Sequence, residues 1–141
     1  MLVTTLVADP EALRLNYIRP AHSVVITLVF TTTASRAFCP NCQRTSSSVH
    51  SRYTRRVADL PWHRIAVRME LHTRRFRCLN SLCTQRIFCE RLPRVVSHYA
   101  RKTVRLNAAL ELIGFAAGGA AGAPLARKLG LAVSPDTLLR R

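Results

Sequence analysis

Cys39-Pro40-Asn41-Cys42 is a C-x2-C pair, and after 35 intervening residues Cys78-Leu79-Asn80-Ser81-Leu82-Cys83 supplies a C-x4-C pair. A spacer of this length lets both sulfurs of a pair reach one ion from a single tight turn, and four thiolates close a tetrahedron around zinc. Pro40 stiffens the first turn and Asn80 suits the second. Backbone N–H groups in such turns donate to the sulfurs. Zinc with four thiolates carries a formal charge of minus two, and Arg36, Arg44 and Arg77 lie close enough in sequence to offset it. Cys89 is left over and reads as a small buried hydrophobe. His50, His63, His72 and His98 stand at no knuckle spacing from a cysteine and read as surface or phosphate-facing groups.

The charge balance points to a polyanion. The chain has 141 residues with 22 Lys+Arg against 7 Asp+Glu, a net charge of +15. Residues 52–105 alone hold fourteen basic and three acidic side chains. A GC-rich genome accounts for arginine over lysine but not for the deficit of carboxylates, and an uncompensated excess repels itself unless something negative neutralises it. A membrane partner is not expected. The longest strongly apolar run, Val24 to Phe30, is far short of the roughly 20 residues of a spanning helix. The first residues lack a basic segment and meet Asp9-Pro10-Glu11 too early for a signal peptide. The expected compartment is the cytoplasm, with the nucleoid, where thiols stay reduced and cysteines serve metal rather than disulfides.

The elements that must position these residues change period along the chain. Ile65, Val67, Met69 and Leu71 alternate with Ala66, Arg68, Glu70 and His72, a half-buried strand with an arginine-bearing outer face. Phe76 and Cys78 fall on the other parity, which predicts a bulge near Arg74 and Arg75. Val24–Phe30 and Val49–Tyr53 read as further strands. With few apolar residues here, folding is expected to depend on the metal, and residues 24–92 are expected to unfold without it. After Pro93 the period becomes 3.6. Ser97 can cap a helix in which Leu106, Ala109 or Leu110, and Ile113 share one face and which stops at Gly114. A second helix holds Ala121, Leu125 and Leu129 and ends at Gly130-Leu131, and Ser134-Pro135-Asp136 opens a third. Helix, short turn and helix is the layout of a helix-turn-helix, and a solvated helical hairpin is the alternative.

CPNC, SSSVHSRYTRRVADLP, RRFRCLNSLC, RIFCERLP and SPDTLLR, in this order across roughly residues 36–141, resemble the N-terminal region of the ISL-three family of bacterial insertion-sequence transposases. The resemblance implies a zinc ribbon held by Cys39, Cys42, Cys78 and Cys83, then a helix-turn-helix. In the family a large RNase H-like domain comes next, whose DDE carboxylates hold the metals that cut DNA. Only Asp9, Glu11, Asp59, Glu70, Glu90, Glu111 and Asp136 are acidic here, and none stands in a block like the family's catalytic ones. Two-metal phosphoryl transfer needs such carboxylates, so no catalysis is expected of this chain. Ala120 replaces an expected acid and Pro124 an expected arginine, so the second helix either starts near Ala123 or is kinked.

The sequence therefore predicts an α+β chain: an N-terminal extension at 1–20, a small four-cysteine zinc ribbon with a three-stranded antiparallel sheet at 21–93, and a three-helix helix-turn-helix at 94–141, truncated in its last helix. Its expected function is zinc-dependent binding of double-stranded DNA at the element's terminal inverted repeats. Arg52, Arg55, Arg56, Arg74 and Arg75 are the expected phosphate contacts, and Thr137, Arg140 and Arg141 the candidates for reading bases in the major groove. A homodimer or full-length transposase is a further candidate partner. The other readings are the non-catalytic half of a split or frameshifted recombinase, and a zinc-ribbon module for RNA binding or assembly.

Overall fold

The structure, a computed structural model, describes residues 7–20 and 24–140. Its strands are β1 (Leu13–Arg19), β2 (Val25–Thr32), β3 (Ala37–Phe38), β4 (Thr45–Ser46), β5 (Val49–Trp62), β6 (Ile65–Arg77) and β7 (Ile87–Cys89). The alternation seen around Ile65 continues in both directions, so β5 and β6 pair as one long antiparallel hairpin. His63 and Arg64, with φ of 47° and 70°, close it, in the left-handed pair that a two-residue turn needs to follow strand twist. The main sheet runs β1-β2-β6-β5, with β7 pairing β6 beyond the end of β2. β2 runs parallel to β6 and the sheet's other pairings are antiparallel. Part of the stretch read as an extension is thus the edge strand β1.

Register sorts the side chains into two faces. Val57, Val67, Met69, Leu71, Leu28 and Phe30 share the inner face, where Val7, Leu13, Leu92, Val95 and Val96 cover them in one core. Arg52, Thr54 and Arg56 of β5 lie opposite Arg74, His72 and Glu70 of β6 on the outer face. The bulge expected near Arg74 and Arg75 is present, but the extra residue is His50 on the partner strand, between Val49↔Phe76 and Ser51↔Arg75.

After the sheet come two helices, α1 (Val104–Lys128) and α2 (Pro135–Leu139). Thr103, rather than Ser97, caps α1 by accepting from the Leu106 N–H at 3.2 Å. The chain before it is occupied otherwise: Val95 and Val96 are buried in the sheet core, and Ala58 of β5 bridges Lys102. Asp59, whose side chain is fully buried, locks the junction by accepting from Thr103 Oγ1 at 2.7 Å and Arg105 Nε at 2.8 Å. Helix α1 passes Gly114 and breaks at Gly118, with φ 67° and ψ −178°, a conformation open essentially to glycine alone. In a straight helix Ile113 and Gly122 would stand about 13 Å apart along the axis. Here a Cβ on Gly122 would lie 3.3 Å from Ile113 Cγ2, so the chain reverses sharply at the break. Leu106, Leu110, Ala123, Ala126, Leu131 and Leu138 then share a second core.

The fold class expected from the sequence is corrected by this arrangement. The sheet is a mixed five-stranded one rather than a three-stranded antiparallel ribbon, and it dominates the molecule. The helical part is one long bent helix and a short one, not a three-helix helix-turn-helix. Two termini are as read. Gly130, at φ 86°, ends α1 with Leu131 N–H donating to Ala126 O at 2.9 Å and Gly130 N–H to Arg127 O at 3.0 Å, a Schellman stop. Ser134 caps α2, accepting from Thr137 N–H at 3.3 Å with Pro135 in the first turn.

By length and composition α1 is long and apolar enough to cross a membrane, a property the short run at Val24–Phe30 does not reveal. The break at Gly118 divides it into arms of roughly 20 and 15 Å, each shorter than the roughly 30 Å of a bilayer core. Nothing fills the space beside Gly118 within 4 Å, so a methyl group there meets only the conformational penalty. Gly118→Ala is expected to lower unfolding free energy by about 1–3 kcal/mol, read from a urea melt. An unchanged midpoint would show that the corner does not depend on glycine.

Candidate metal centre and basic sheet faces

The short hairpin of β3 and β4 exists to carry the first knuckle. Cys39 N–H donates to Arg44 O and Gln43 N–H to Cys39 O, both at 2.9 Å, and Gln43 takes a φ of 59° to complete the turn. Cys78 follows the last residue of β6, and its N–H donates to Arg86 O at 2.9 Å. Asn80 shapes the second turn as its residue type suggests, accepting from Cys83 N–H through its carbonyl and from Leu82 N–H through its side chain, both at 3.1 Å. Both pairs of sulfurs converge. Cys39 and Cys83 Sγ lie 3.9 Å apart, Cys42 and Cys78 Sγ 3.6 Å, and all four sulfurs lie within 4.8 Å of one another. A zinc tetrahedron with 2.3 Å bonds has sulfur–sulfur edges of about 3.8 Å, whereas a disulfide needs about 2.0 Å. Beneath the centre Phe76 and Phe88 stack at 5.9 Å in a small apolar cluster with Cys39 and Cys83.

The charge on the sulfurs calls for a cation. The Arg44 backbone N–H, with Asn80 and the neighbouring thiols, lowers Cys42 to about 6. The Asn80 backbone N–H pulls Cys78 the same way, but burial and the nearness of Cys42, Cys39 and Cys83 outweigh it and push Cys78 up to about 12. Four sulfurs this close cannot all carry charge unaided, and a zinc ion removes the conflict by taking them as thiolates. Asn41 Nδ2 donates to Cys83 Sγ at 3.3 Å and spreads some of the remaining charge. Cys39, Cys42, Cys78 and Cys83 are the residues that would hold the ion. Cys89 lies outside the set, half-buried on β7.

The predicted phosphate contacts divide into two groups. Arg55 is turned inward and donates to Ser97 O at 2.8 Å and Ala100 O at 2.6 Å. Arg74 pairs with the buried Glu90 at 2.7 Å and lies 5.1 Å over the Phe76 ring. Arg56 holds Glu70 at 3.2 Å, and Arg19 reaches the same carboxylate at 3.4 Å. Arg52 is exposed on the outer face, and Arg75 lies 4.6 Å over the Tyr53 ring on the inner face. Thr137 is spent on the α2 cap, with its Oγ1 2.8 Å from Ser134 Oγ. Arg140 is exposed at the end of a five-residue helix, and Arg141 lies outside the described residues. Sequence reading passed over Arg68 and Arg19, which the register sets beside Thr27 on the outer face. The alternation marks Arg68 as outward, but only the β1–β2 pairing recruits Arg19. On this face a groove of about 450 Å³ opens between Arg52, Arg74, His72, Thr54 and Thr31.

Burial raises the Glu70 carboxyl, yet hydrogen bonds from Arg56 and Arg19 outweigh it and hold the group below its ordinary range. A carboxylate lowered in the folded state stabilises above its unfolded pKa of about 4.3, and that gain disappears as pH falls through the folded value. The stability difference between the native chain and Glu70→Gln is therefore expected to be constant above about pH 5 and to shrink below about pH 4. Zinc release in acid is common to both chains and cancels. A difference that grows on acidification would contradict this assignment. The separate core on the inner face also alters the expected effect of chelation, since it is apolar and requires no ion. Metal removal is expected to raise hydrogen exchange at residues 36–48 and 76–88 while Val57, Val67, Met69 and Leu71 stay protected. Loss of protection throughout residues 24–92 would instead make the whole sheet metal-dependent.

Residues 35–83 match the family model for the zinc-finger of transposase IS204/IS1001/IS1096/IS1165. The matched stretch is about a third of the chain. No curated protein and no solved structure matches. All four ligand cysteines lie within the matched stretch, so residues 35–83 form a zinc-binding region similar to the zinc-finger of these transposases.

Proposed function

We propose that this chain is a DNA-binding region of an insertion-sequence transposase, which holds the ends of the element through the outer face of its zinc-stapled sheet. The match of residues 35–83 to a transposase zinc-finger carries the reading. The charge of the outer face supports it. Arg19, Arg52, Arg56, Arg68 and Arg74 share that face with the carboxylates Glu70 and Glu90 alone among the described acidic residues. Arg52 and Arg68 are exposed, with no carboxylate contact among the described residues. From position 68 to 74 the strand spans about 20 Å, or about six base pairs at 3.4 Å. Cations spread over that length suit a run of phosphates. Contacts of this kind position a protein on DNA without reading its sequence.

The same reading gives the chain no strand cutting of its own. Asp59, Glu70 and Glu90 are each consumed by an arginine, Asp9 caps the turn before β1 by accepting from Glu11 and Ala12 N–H, and Glu11 pairs with Arg94. Carboxylates so engaged are poor ligands for a pair of divalent metals. Phosphoryl transfer then falls to a carboxylate-bearing domain beyond these residues, and the expected setting is the bacterial nucleoid.

The test is a salt series of fluorescence anisotropy titrations on the zinc-loaded chain, with duplex carrying the terminal inverted repeat and with random duplex of equal length. The repeat is expected to bind more tightly, and log K to fall linearly with log salt. Arg52→Ala and Arg68→Ala should each weaken both duplexes alike and reduce the salt slope by about one. Equal affinity for the repeat and random sequence would remove element-end recognition. Unchanged slopes in both variants would remove the outer face as the contact surface.

A further inference from the structure

On the other side of the sheet from the arginine-rich outer face lies a second basic surface with a different chemistry. Where β5, β6 and β7 meet the segment 91–101, a groove of about 740 Å³ opens over an apolar floor that includes Leu92, Pro93 and Val96. Its walls carry two aromatic platforms. Tyr53 lies under the Arg75 guanidinium at 4.6 Å. Tyr99 lies against the His98 ring, tilted by 41° with ring centroids 3.7 Å apart, yet remains 86% exposed.

Tyr99 is held in this exposed position. Its φ is 60°, in the left-handed region that bulky residues rarely adopt. The turn that keeps it there is built from the sheet. Arg55 donates to the carbonyls of Ser97 and Ala100 on either side of Tyr99, and Ala100 N–H donates to Ser97 O at 3.1 Å. Strain of this kind persists only where the surroundings enforce it, and it clusters at ligand contacts. Arg75, Arg91 and Arg101 are exposed along the groove. The carboxylate at its edge, Glu90, is taken up by Arg74 and by the Thr32 hydroxyl, which donates to it at 3.0 Å.

We infer that this groove takes unpaired DNA: bases stack on Tyr99 and on the Tyr53–Arg75 pair while Arg91 and Arg101 meet the phosphates. Stacked bases of an intact duplex offer no free π-face, so exposed rings beside arginines favour a strand whose bases are turned out. The inference rests on the reading of the chain as a DNA-binding region and adds a second surface to it. The outer face holds duplex, and the groove holds the few nucleotides that are unpaired when an element end is opened.

Anisotropy titrations of the zinc-loaded full chain with an eight-nucleotide oligothymidylate, the repeat duplex and oligouridylate test it. Tyr99→Ala replaces an exposed ring and leaves both apolar cores untouched. It is expected to weaken oligothymidylate binding roughly 5- to 150-fold, the range for loss of one stacked base, with duplex affinity changed less than about two-fold. Arg52→Ala is expected to do the reverse. Equal loss on both DNA forms, or no loss on oligothymidylate, would overturn the groove assignment while duplex binding by the outer face stood. Tighter binding of oligouridylate than of oligothymidylate would overturn it in favour of RNA. Absence of binding to every probe at low salt would overturn both surfaces. Tyr99-dependent binding of oligothymidylate without duplex binding would keep the groove and remove the outer face.

Discussion

Pairing between β5 and β6 is the constraint through which the other parts of the molecule are related. A ladder of this length fixes the face of every side chain along it, because slipping by one residue would exchange the apolar set for the arginines. Both ends are anchored. At one, Cys78 leaves β6 directly into the second knuckle, and the Phe76–Phe88 stack seats the metal centre on the sheet. At the other, Asp59 on β5 grips Thr103 and Arg105 at the start of α1, and Gly130 packs so closely on Arg64 at the hairpin tip that a Cβ would lie 2.7 Å from its carbonyl oxygen. The zinc centre and the helices touch the same two strands, so the register between them sets where each stands relative to the arginines.

Electrostatics explain why so basic a chain folds at all. With +15 charges to accommodate, the sheet places its few carboxylates where each answers one or two guanidiniums. Glu70 lies between Arg19 and Arg56, Glu90 serves Arg74, and Asp59 serves Arg105. Removing one partner of such a pair strands a charge in a poorly hydrated place, which is where their structural weight lies. The arginines left over, Arg52 and Arg68 among them, face water and give the outer face its positive field.

Arginine identity alone did not separate these two roles. Arg52, Arg55, Arg56, Arg74 and Arg75 look alike in the sequence, yet Arg55 braces a turn 42 residues away and Arg75 covers a tyrosine. The difference lies in parity on a strand and in what the rest of the chain lays beside it. The capping site of α1 escaped for a similar reason. Ser97 is as good a cap as Thr103, but burial of Val95 and Val96 and the bridge to Ala58 hold the intervening residues out of the helix. Gly114 and Gly118 are equally permissive, and packing on α2 chose between them: a Cβ on Gly114 would meet Leu138 O at 2.9 Å, so that glycine serves close approach, while Gly118 makes the turn.

By itself, the sequence determined what short-range chemistry can decide. Two cysteine pairs on tight turns specify a tetrahedral zinc site, alternation specifies strands, and Gly130 and Ser134 specify a helix stop and start. Each depends on bond lengths and hydrogen bonds within a few residues. Only the tertiary structure decided that β2 joins β6 in parallel, that Leu13–Arg19 adds an edge strand, that α1 folds back on itself, and which arginines face solvent. Those outcomes depend on which apolar faces bury one another between segments far apart in the chain, a choice that local propensity leaves open.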